Sequence, residues 1–385
     1  MLRSPVVTII LLLVLVIAFV PAGHAAASAV ALLPEFFPNE PIQPLEWVTP
    51  APKRSTIELH YDGRTSLADL YDPGTPGPHG AVIIFLGVNQ AGRDDPRVVR
   101  LGTGLARIGI ATLIPESQDL LSSKVDPGEI DELVAAFDYL SGLATVDPGR
   151  VGLGGFCIGA GLALDAAEDP RINQKVALVN SFTGYYDLVS YATSIATHTI
   201  QPVPPQPGVD RLPWEPAPNA TAVLADHLIS LDPIPGEVDL LRAAFRDPKA
   251  PRPDPTRLTP AGRTIWTALT TRDPQVVERL LNELPPAARD KLAHLSPSTH
   301  IDQLHAKVFI MHDLGDSTVP YVQSRLLAQN LRPGQGEYDE FRIFDHVDPT
   351  ASVPPSVFVE DIGRLAWHMY QIVAILQGAA AVEHF

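Results

Sequence analysis

The chain has very little cysteine and a shortage of positive charge. Among its 385 residues there is one cysteine, so an intrachain disulfide and a cysteine-based zinc site are both excluded. The chain has 28 lysines and arginines and 44 aspartates and glutamates, so its formal net charge is −16. This excess of negative charge argues against nucleic acid or anionic lipid as a partner. A small neutral or anionic substrate stays open.

The sequence also lacks a glycine loop for phosphates and a cluster of metal ligands. Gly152, Gly154, Gly155 and Gly159 do not form a Gly-x-Gly-x-x-Gly motif followed by an acidic ribose partner. No spaced group of histidines and carboxylates predicts a catalytic metal. We therefore expect the protein to use no cofactor and no metal.

Apolar residues, glycine and proline are plentiful. With 45% hydrophobic and 19% charged residues, the chain can bury a sizeable core as one large domain or as a domain with an insertion. Its 39 prolines are about twice the usual share of ~5%. Fourteen of them fall within residues 201–260, so proline marks one region of the chain.

The N-terminus has the pattern of an export signal. Arg3 precedes the apolar run Val6–Val20, and "PAGHAAASA" then supplies small residues suited to signal-peptidase cleavage. The run is shorter than the ~20 residues of a spanning helix, although little polarity follows it before Leu33. We expect residues 1–26 to be a cleaved signal peptide or a retained membrane anchor, with the remainder exported. Residues 27–54 are expected to form an extended linker.

From residue 55 onward, strand and helix patterns alternate. The apolar runs "GAVIIFLGV", "IATLIPES", "RVGLGGF" and "KVALVNS" are typical of strands buried on both faces, and helical periodicity separates them. Such alternation predicts an α/β fold with a mostly parallel twisted sheet flanked by helices. Two strands of alternating polarity within residues 56–73 should form an antiparallel edge of this sheet.

The alternation stops over residues 183–300 and resumes with "AKVFIMHD". We expect this stretch to be a large helical, proline-rich cap inserted between the core parts 55–182 and 301–385. A second, independent domain is the alternative. Because proline fixes φ and lacks an amide donor, the proline-rich part should be an irregular arm without long helices.

Apolar side chains of the cap have two interpretations. They would either give the pocket an apolar wall or build only the small core of the cap itself. An apolar wall would favour a medium-sized apolar acyl or lactone substrate over a small anionic one. The residues concerned are Trp214, Leu224, Leu228, Leu240, Phe245 and Trp266.

The single cysteine lies in "GGFCIGAG", between an apolar strand and a helical pattern. Here Gly155, Cys157 and Gly159 form a Gly-x-nucleophile-x-Gly elbow, with cysteine where serine is commoner. The glycines leave room for a tight strand-to-helix turn, and the amides at the helix start favour a thiolate. A glycine-rich packing turn with an inert buried cysteine is the alternative.

A nucleophilic cysteine needs a base and a group that orients the base. Asp316 follows the strand "AKVFIM" in a short loop, and His346 stands at the end of the last strand pattern, "DEFRIFDH". If these strands run parallel, both loops share the carboxyl edge of the sheet with Cys157. The chain order nucleophile, acid, base is the order of α/β-hydrolases. Taken singly, a turn-forming aspartate and a surface histidine explain Asp316 and His346 equally well.

The chain resembles an α/β-hydrolase, and "GFCIGAGLAL" resembles the cysteine elbow of the dienelactone hydrolase family. "DPGRVGLGGFCIGAG" is similar to that family's approach to the nucleophile, "LSPSTHIDQLHAKVFIMHDLGDSTVP" to the acid segment and "FDHVDP" to the histidine loop. The resemblance covers residues 56–181 and 295–377. It implies a Cys157–His346–Asp316 triad and hydrolysis of esters or lactones.

The sequence departs from this family in three respects. The small soluble members of the family lack a cap as long as residues 183–300, and they lack an export signal. Asp313 also replaces the glycine that usually follows the histidine of the acid segment. The long cap bears most directly on the substrate.

The same comparison predicts the oxyanion hole. One amide should come from Ile158, directly after the nucleophile, and the other from Val88, in the loop after "VIIFLG". Asn89 would be an extra donor. Glu116 and Tyr185, which follow strands at the same edge, are weaker candidates for contact with the substrate.

We therefore expect an exported hydrolase that cleaves carboxylic ester or lactone bonds of a small molecule through an acyl-cysteine intermediate. An acyltransferase or thioesterase with the same triad is one alternative. A non-catalytic binding protein, in which the elbow serves only for packing, is another. Membrane contact is expected only through an N-terminal anchor, and the sequence does not predict the oligomeric state.

Overall fold

The computed structural model describes residues 20–37, 43–247 and 249–385. Eight strands form one sheet in the order β1-β2-β4-β3-β5-β6-β9-β10. β2 runs antiparallel to both β1 and β4, and the other neighbouring strands are parallel. The predicted mostly parallel sheet with an antiparallel edge is confirmed. Its strands are β1 Lys53–Tyr61, β2 Arg64–Asp72, β3 His79–Phe85, β4 Ile110–Glu116, β5 Val146–Phe156, β6 Leu178–Phe182, β9 Lys307–Asp313 and β10 Gly336–Phe341.

Helices cover both faces of the sheet, because alternate residues of each central strand point to opposite sides. On β3, Val82 and Ile84 belong to one buried cluster, whereas Ile83 and Phe85 belong to the other. The first cluster includes side chains of α1 (Pro21–Leu32), α3 (Pro96–Arg107) and α14 (Pro355–Leu376). The second includes side chains of α5 (Gly128–Ser141) and α6 (Ile158–Glu168). Shorter helices are α2 Pro44–Val48, α4 Gln118–Leu121 and α13 Val322–Asn330.

The segment predicted to be an extended linker is folded onto the core. Helix α1 buries Ala25, Ala29 and Leu32 against α14, and a short 3₁₀ turn, Leu33–Phe36, follows it. The expectation of an extended linker over 27–54 is therefore wrong for its described part. Alanine has the highest helix propensity and proline is well tolerated at a helix start, so this proline- and alanine-rich segment folds as a helix.

The chain leaves the sheet at Phe182 and returns at Lys307, and helices dominate the stretch between. Most buried side chains of the cap belong to the same cluster as one face of the sheet, so the cap packs onto the core, whereas Ile200 and Val203 form a small separate cluster with Val322. Its elements are α7 Leu188–Thr197, the two-residue strands β7 Thr199–Ile200 and β8 Leu212–Pro213, α8 Pro218–Ser230, α9 Pro235–Arg246, α10 Pro260–Thr270, α11 Pro274–Asn282 and α12 Pro286–His294.

Proline is the first residue of every α-helix of the described cap except α7, so a high proline content does not exclude helices. In the described part of the chain, nine α-helices have proline as their first residue: Pro21, Pro44, Pro96, Pro218, Pro235, Pro260, Pro274, Pro286 and Pro355. The first-turn amide has no partner within a helix, so proline loses nothing there. Irregular backbone occurs between α7 and α8 and again, in the described residues, between α9 and α10, whereas α8 and α9 are regular helices of 13 and 12 residues.

Residues 1–19 of the expected signal peptide or anchor lie outside the described residues. The described part of this region enters α1 at Pro21. Searched over the described residues, the structure contains no helix that is both long and apolar enough to cross a bilayer.

Candidate active site

Cys157 occupies a strained turn between β5 and α6. Its backbone has φ 55° and ψ −126°, a conformation that residues with a Cβ rarely adopt. A Cβ on Gly155 would lie 2.5 Å from Ala160 Cα, and one on Gly159 would lie 2.6 Å from the Leu86 carbonyl oxygen. Only glycine therefore fits at both positions, and the turn presents the cysteine side chain at the end of the strand.

Asp316 and His346 meet at the same edge. Asp316 lies in the loop after β9, and its Oδ2 accepts a hydrogen bond from Nδ1 of His346 at 2.8 Å. Its Oδ1 accepts hydrogen bonds from the amides of Thr318 and Val319 at 2.7 and 3.1 Å, which fix the carboxylate. His346 has φ 59° and lies five residues after the end of β10, so the last strand is shorter than predicted.

The charges of these groups reinforce one another. Burial opposes ionisation of Asp316, but hydrogen bonds from His312 and His346 outweigh burial and hold the pKa of this carboxyl well below its usual range. Burial alone would lower the pKa of His346, but Cys157 and Asp316 outweigh it and raise that pKa well above its usual range. The influence of Cys157 on the pKa of His346 shows that the sulfur and the imidazole are neighbours.

The loop after β3 passes directly against the elbow. A Cβ on Gly87 would lie 2.9 Å from Cys157 Cβ and 3.5 Å from the Ile158 amide nitrogen. Val88, the next residue, and Ile158 both line the cavity that contains Cys157. The two residues predicted to form the oxyanion hole thus lie beside Cys157, Val88 in the loop after β3 and Ile158 at the start of α6.

Cys157 and His346 open into a cavity of about 850 Å³. Such a volume suits a small-molecule substrate, for which pockets of ~300–1,000 Å³ are typical. The sheet side of the wall includes Leu86 and Phe156, and the cap side includes one face of α8 with Ala220, Val223 and Leu224. Phe36, from the turn after α1, also lines it.

Neither of the two interpretations of the apolar cap residues holds for all six of them. Of the six apolar cap residues, Leu224 alone lines the cavity. Leu228 and Trp266 are buried in the core of the cap and do not line the cavity. Leu240 is 44% exposed, and Trp214 and Phe245 pack at the edge of the core.

The three weaker candidates have different positions. Tyr185 lines the cavity, fully buried, with its ring stacked on Tyr191. Asn89 lines it too, but its amide donates to Asp95 at 3.0 Å and its carbonyl oxygen accepts from Ala91. Glu116 does not line this cavity.

Glu116, a weak candidate for contact with the substrate, is held by an ion pair outside the cavity of Cys157. Its carboxylate pairs with Arg93 at 3.0 Å, and Arg93 also pairs with buried Asp69. The end of β4 is at the predicted edge of the sheet, but the Glu116 side chain belongs to the ion-pair network of Arg93 and Asp69.

Cap contacts to the acid loop were not predicted. Three successive carbonyls of this loop accept hydrogen bonds from the cap. Trp214 Nε1 donates to Asp316 O at 2.9 Å, the Ala217 amide donates to Ser317 O at 2.7 Å, and the Tyr191 hydroxyl donates to Thr318 O at 2.7 Å. No sequence period marks these residues, because the contacts arise from the tertiary position of the cap.

Two further residues of the acid segment have structural partners. His312 is buried and contacts Ser324 Oγ at 2.7 Å, the Val319 carbonyl at 2.9 Å and Asp316 at 3.4 Å. Asp313 accepts the amides of Gly315 and Phe344, and burial raises its pKa to about 6. Asp313 therefore joins the acid and histidine loops through their backbones.

No group of histidine, cysteine and carboxylate side chains in the described ranges is arranged to hold a metal ion. In this arrangement one proton can pass between Cys157 and His346 while Asp316 holds the imidazole, and the amides of Val88 and Ile158 lie beside Cys157.

No protein-family model matches the chain. Over 165 residues it is 28% identical to a probable 2-oxo-3-(5-oxofuran-2-ylidene)propanoate lactonase from Bradyrhizobium, a stretch that makes up 38% of this chain and 61% of the lactonase. The matched part thus spans less than two thirds of that relative.

Two solved structures resemble most of the chain. A puromycin-hydrolyzing peptidase from Mycobacterium tuberculosis superposes with a TM-score of 0.51 at 15% identity, over 88% of this chain and 41% of the peptidase. An acylaminoacyl peptidase from Pyrococcus horikoshii gives 0.50 at 11% identity, over 86% and 43% of the two chains. With its mostly parallel eight-stranded sheet, helices on both faces and these structural neighbours, the chain has the α/β-hydrolase fold.

Proposed function

We propose that the protein hydrolyses carboxylic ester or lactone bonds through an acyl-cysteine intermediate. One observation carries the proposal: an elbow cysteine opens into the same cavity as a histidine whose other nitrogen is bound to a buried carboxylate. That constellation is recognised by geometry and by roles. The matched part of the Bradyrhizobium lactonase adds support for an ester or lactone bond.

In the first half-reaction the Cys157 sulfur attacks the substrate carbonyl carbon, and His346 holds the thiol proton. The carbonyl oxygen becomes an oxyanion that the amides of Val88 and Ile158 stabilise. Collapse breaks the bond to the alkoxide, which takes the proton from the His346 imidazolium. Asp316 keeps Nδ1 protonated and the ring oriented, and stabilises the imidazolium.

In the second half-reaction His346 takes a proton from water, whose oxygen attacks the thioester carbon. The bond to sulfur breaks, the acid is released, and the proton returns to Cys157. An alcohol or thiol in place of water would give acyl transfer through the same steps. The cavity wall combines apolar side chains with polar and charged ones, so both an acyl chain and the attacking water can be accommodated.

A panel of esters, lactones and thioesters tests the proposal. We expect turnover of at least one ester or lactone by the wild type and none by Cys157→Ala. Intact-mass analysis of His346→Ala with an activated ester should show one acyl group on Cys157. Glycerol or methanol as competing acceptors measures transfer against hydrolysis. Binding without turnover by a folded wild type would favour the non-catalytic alternative.

We also propose that the protein is exported, on the strength of the apolar run Val6–Val20 and the small residues that follow it. Cell fractionation with N-terminal sequencing of the mature chain tests this. Full-length protein in the cytosolic fraction would contradict it, whereas release or membrane association distinguishes a cleaved signal from an anchor.

A further inference from the structure

Helices α1, α2 and α14 form one layer on the same face of the sheet. Each of them has buried residues in a single cluster against that face, among them Ala29 of α1, Leu45 of α2 and Leu365 of α14. Helix α1 contacts both α14 and α2. Because each helix turns its buried side towards the sheet, the opposite sides of the three helices point away from the same sheet face.

The outer side of this layer exposes large apolar side chains. Trp47 and Trp367 each follow a buried leucine by two residues, which places them about 200° around the helix from Leu45 and Leu365. They are 73% and 60% exposed. Seven of the eleven large apolar side chains exposed in the described part of the chain belong to α1, the residue before it, α2 or α14: Val20, Val30, Trp47, Val48, Phe358, Val359 and Trp367.

The same layer has no surplus of negative charge. Helix α1, "PAGHAAASAVAL", contains no carboxylate, lysine or arginine. The chain has a net charge of −16, so other parts of it carry the excess of carboxylates. Each carboxylate of the three helices and of the turn after α1 has an arginine within 4 Å: Glu35 has Arg100, Glu46 has Arg107, and Glu360 and Asp361 have Arg342 and Arg364.

The sequence directly before the layer argues for lipid as its partner. The apolar run Val6–Val20 ends at the residue that precedes α1, with no linker between them. A run held in a bilayer would therefore keep α1 and its neighbours at the lipid surface. Tryptophan is enriched at the interface between lipid and water, because its ring is apolar and its N–H is polar. The balanced charge suits a neutral bilayer better than an anionic one.

We propose that the outer side of α1, α2 and α14 is a lipid-contacting face, which lies on a neutral phosphatidylcholine surface with Trp47 and Trp367 among the head groups. This inference goes beyond an N-terminal anchor, because folded residues share the contact, and it does not depend on the proposed hydrolysis. One end of the face adjoins the cavity. There Phe358 contacts Phe37, with ring centroids 6.2 Å apart, and the neighbouring Phe36 lines the cavity.

Quenching of tryptophan fluorescence tests the face. The chain has four tryptophans, and the other two, Trp214 and Trp266, pack in the cap on the other side of the sheet. Full-length protein is reconstituted with phosphatidylcholine vesicles whose acyl chains are brominated close to the head group. Relative to plain vesicles, we expect brominated lipid to remove about a third of the emission, because two of the four rings reach the interface.

Variants assign the quenching to the face. After Trp47→Phe and Trp367→Phe together, the remaining emission should be the same in brominated and plain vesicles. Trp214→Phe is the matched control in the cap, and it should keep the quenching. Unquenched emission from vesicle-bound wild type would overturn the proposal and leave residues 1–19 or a second copy of the chain as the cover of this face. Quenching that persists in the double variant would also overturn it, because the contact would then lie at the cap.

A second measurement separates the face from the apolar run. Chain that has been processed after the run should still sediment with phosphatidylcholine vesicles, and Trp47→Glu with Trp367→Glu should weaken this binding about tenfold or more. Leu240→Glu, at an exposed apolar position of the cap, should bind as the wild type does. Circular dichroism and Tm establish that the variants fold. Equal binding by all three proteins would overturn the proposal. No substrate enters either measurement, so a failure of the proposed hydrolysis leaves both results unchanged.

Discussion

The indole of Trp214 donates a hydrogen bond to the backbone carbonyl of Asp316, with 2.9 Å between Nε1 and the oxygen. Trp214 belongs to the cap, and Asp316 carries the carboxylate that orients His346. The cap is therefore fastened to the loop on which the orientation of the imidazole depends.

Trp214→Phe tests whether this contact positions the acid. The exchange keeps an aromatic ring but removes the donor, so we expect kcat to fall about tenfold with little change in KM, because the loss of one hydrogen bond lets the loop shift. The pH profile of kcat/KM should shift as well, since the Asp316–His346 pair sets it. Trp367→Phe, at a 60% exposed position, is the control. A drop in Tm with an unchanged kcat and pH profile would reduce Trp214 to a structural role.

Alkylation of Cys157 tests the charge of its neighbour. Because the pKa of His346 is raised well above its usual range, the ring stays protonated at neutral pH and keeps a cation beside the sulfur. We expect iodoacetamide to react at one site, and the reaction to persist down to about pH 6, where an ordinary thiol reacts slowly. His346→Ala should lower that acidic rate to the level of a free thiol. Mass spectrometry of the native protein measures both, and an unlabelled cysteine in an active enzyme would exclude it as the nucleophile.

Asp316→Asn tests the orienting acid. An amide at this position stabilises the wrong imidazole tautomer, so turnover should fall by about 10³–10⁴-fold, as in serine triads. Glu116→Gln removes a carboxylate outside the cavity and should leave turnover within a few-fold of wild type. Steady-state kinetics on one activated ester compares the two. Near-normal turnover by Asp316→Asn would show that this acid is not needed to orient His346.

Acyl chain length tests the apolar wall. With Val223 and Leu224 lining the cavity, kcat/KM should rise from acetate to hexanoate p-nitrophenyl esters, with up to ~0.8 kcal/mol for each buried methylene. Leu224→Ala should reduce this rise, whereas Leu240→Ala, on the exposed side of the cap, should not. A flat or falling series would show that the wall does not hold the acyl chain.

Buried carboxyls on α6 predict an unusual dependence of stability on pH. Asp165 and Glu168 are 7% and 4% exposed, each has an unpartnered oxygen, and burial raises the pKa of both. The folded state then binds protons more tightly than the unfolded state. The resulting stability is present below about pH 4, the pKa of an unfolded carboxyl, and is lost as pH rises towards the folded pKa.

Thermal unfolding between pH 5 and about pH 9 measures this loss. We expect Tm to fall with rising pH, and Glu168→Gln to flatten the slope because it removes one titrating group. Glu58→Gln, on the exposed edge strand, should keep the wild-type slope. A slope equal in the two variants would mean that the Asp165–Glu168 pair does not titrate over this range.

The sheet and the elbow were predictable because their signals are local. A strand buried on both faces reads as an apolar run, and the elbow needs glycine at fixed distances from Cys157. To predict that Asp316 and His346 lie close together, one further assumption was needed, namely that parallel strands end at the same edge of the sheet. Both residues lie in loops at that edge, so the assumption is correct for them.

Side-chain direction was not predictable in the same way. Glu116 ends a strand at this edge, but its carboxylate accepts a hydrogen bond from Arg93 and its side chain does not line the cavity. The positions of Trp214 and Tyr191 depend on how the cap packs over the sheet. No period or spacing within the cap encodes that packing.

Helix α1 and the turn after it make the N-terminal region part of the working molecule. Ala25 and Ala29 are inaccessible once α1 has docked on α14, so a peptidase that cuts within Pro21–Ala29 must act before docking. If the proposed export signal is cleaved within this segment, processing and folding would compete in time there. Because Glu35 and Phe36 line the cavity, a shortened chain that starts at Lys53 would lose one side of its own binding chamber.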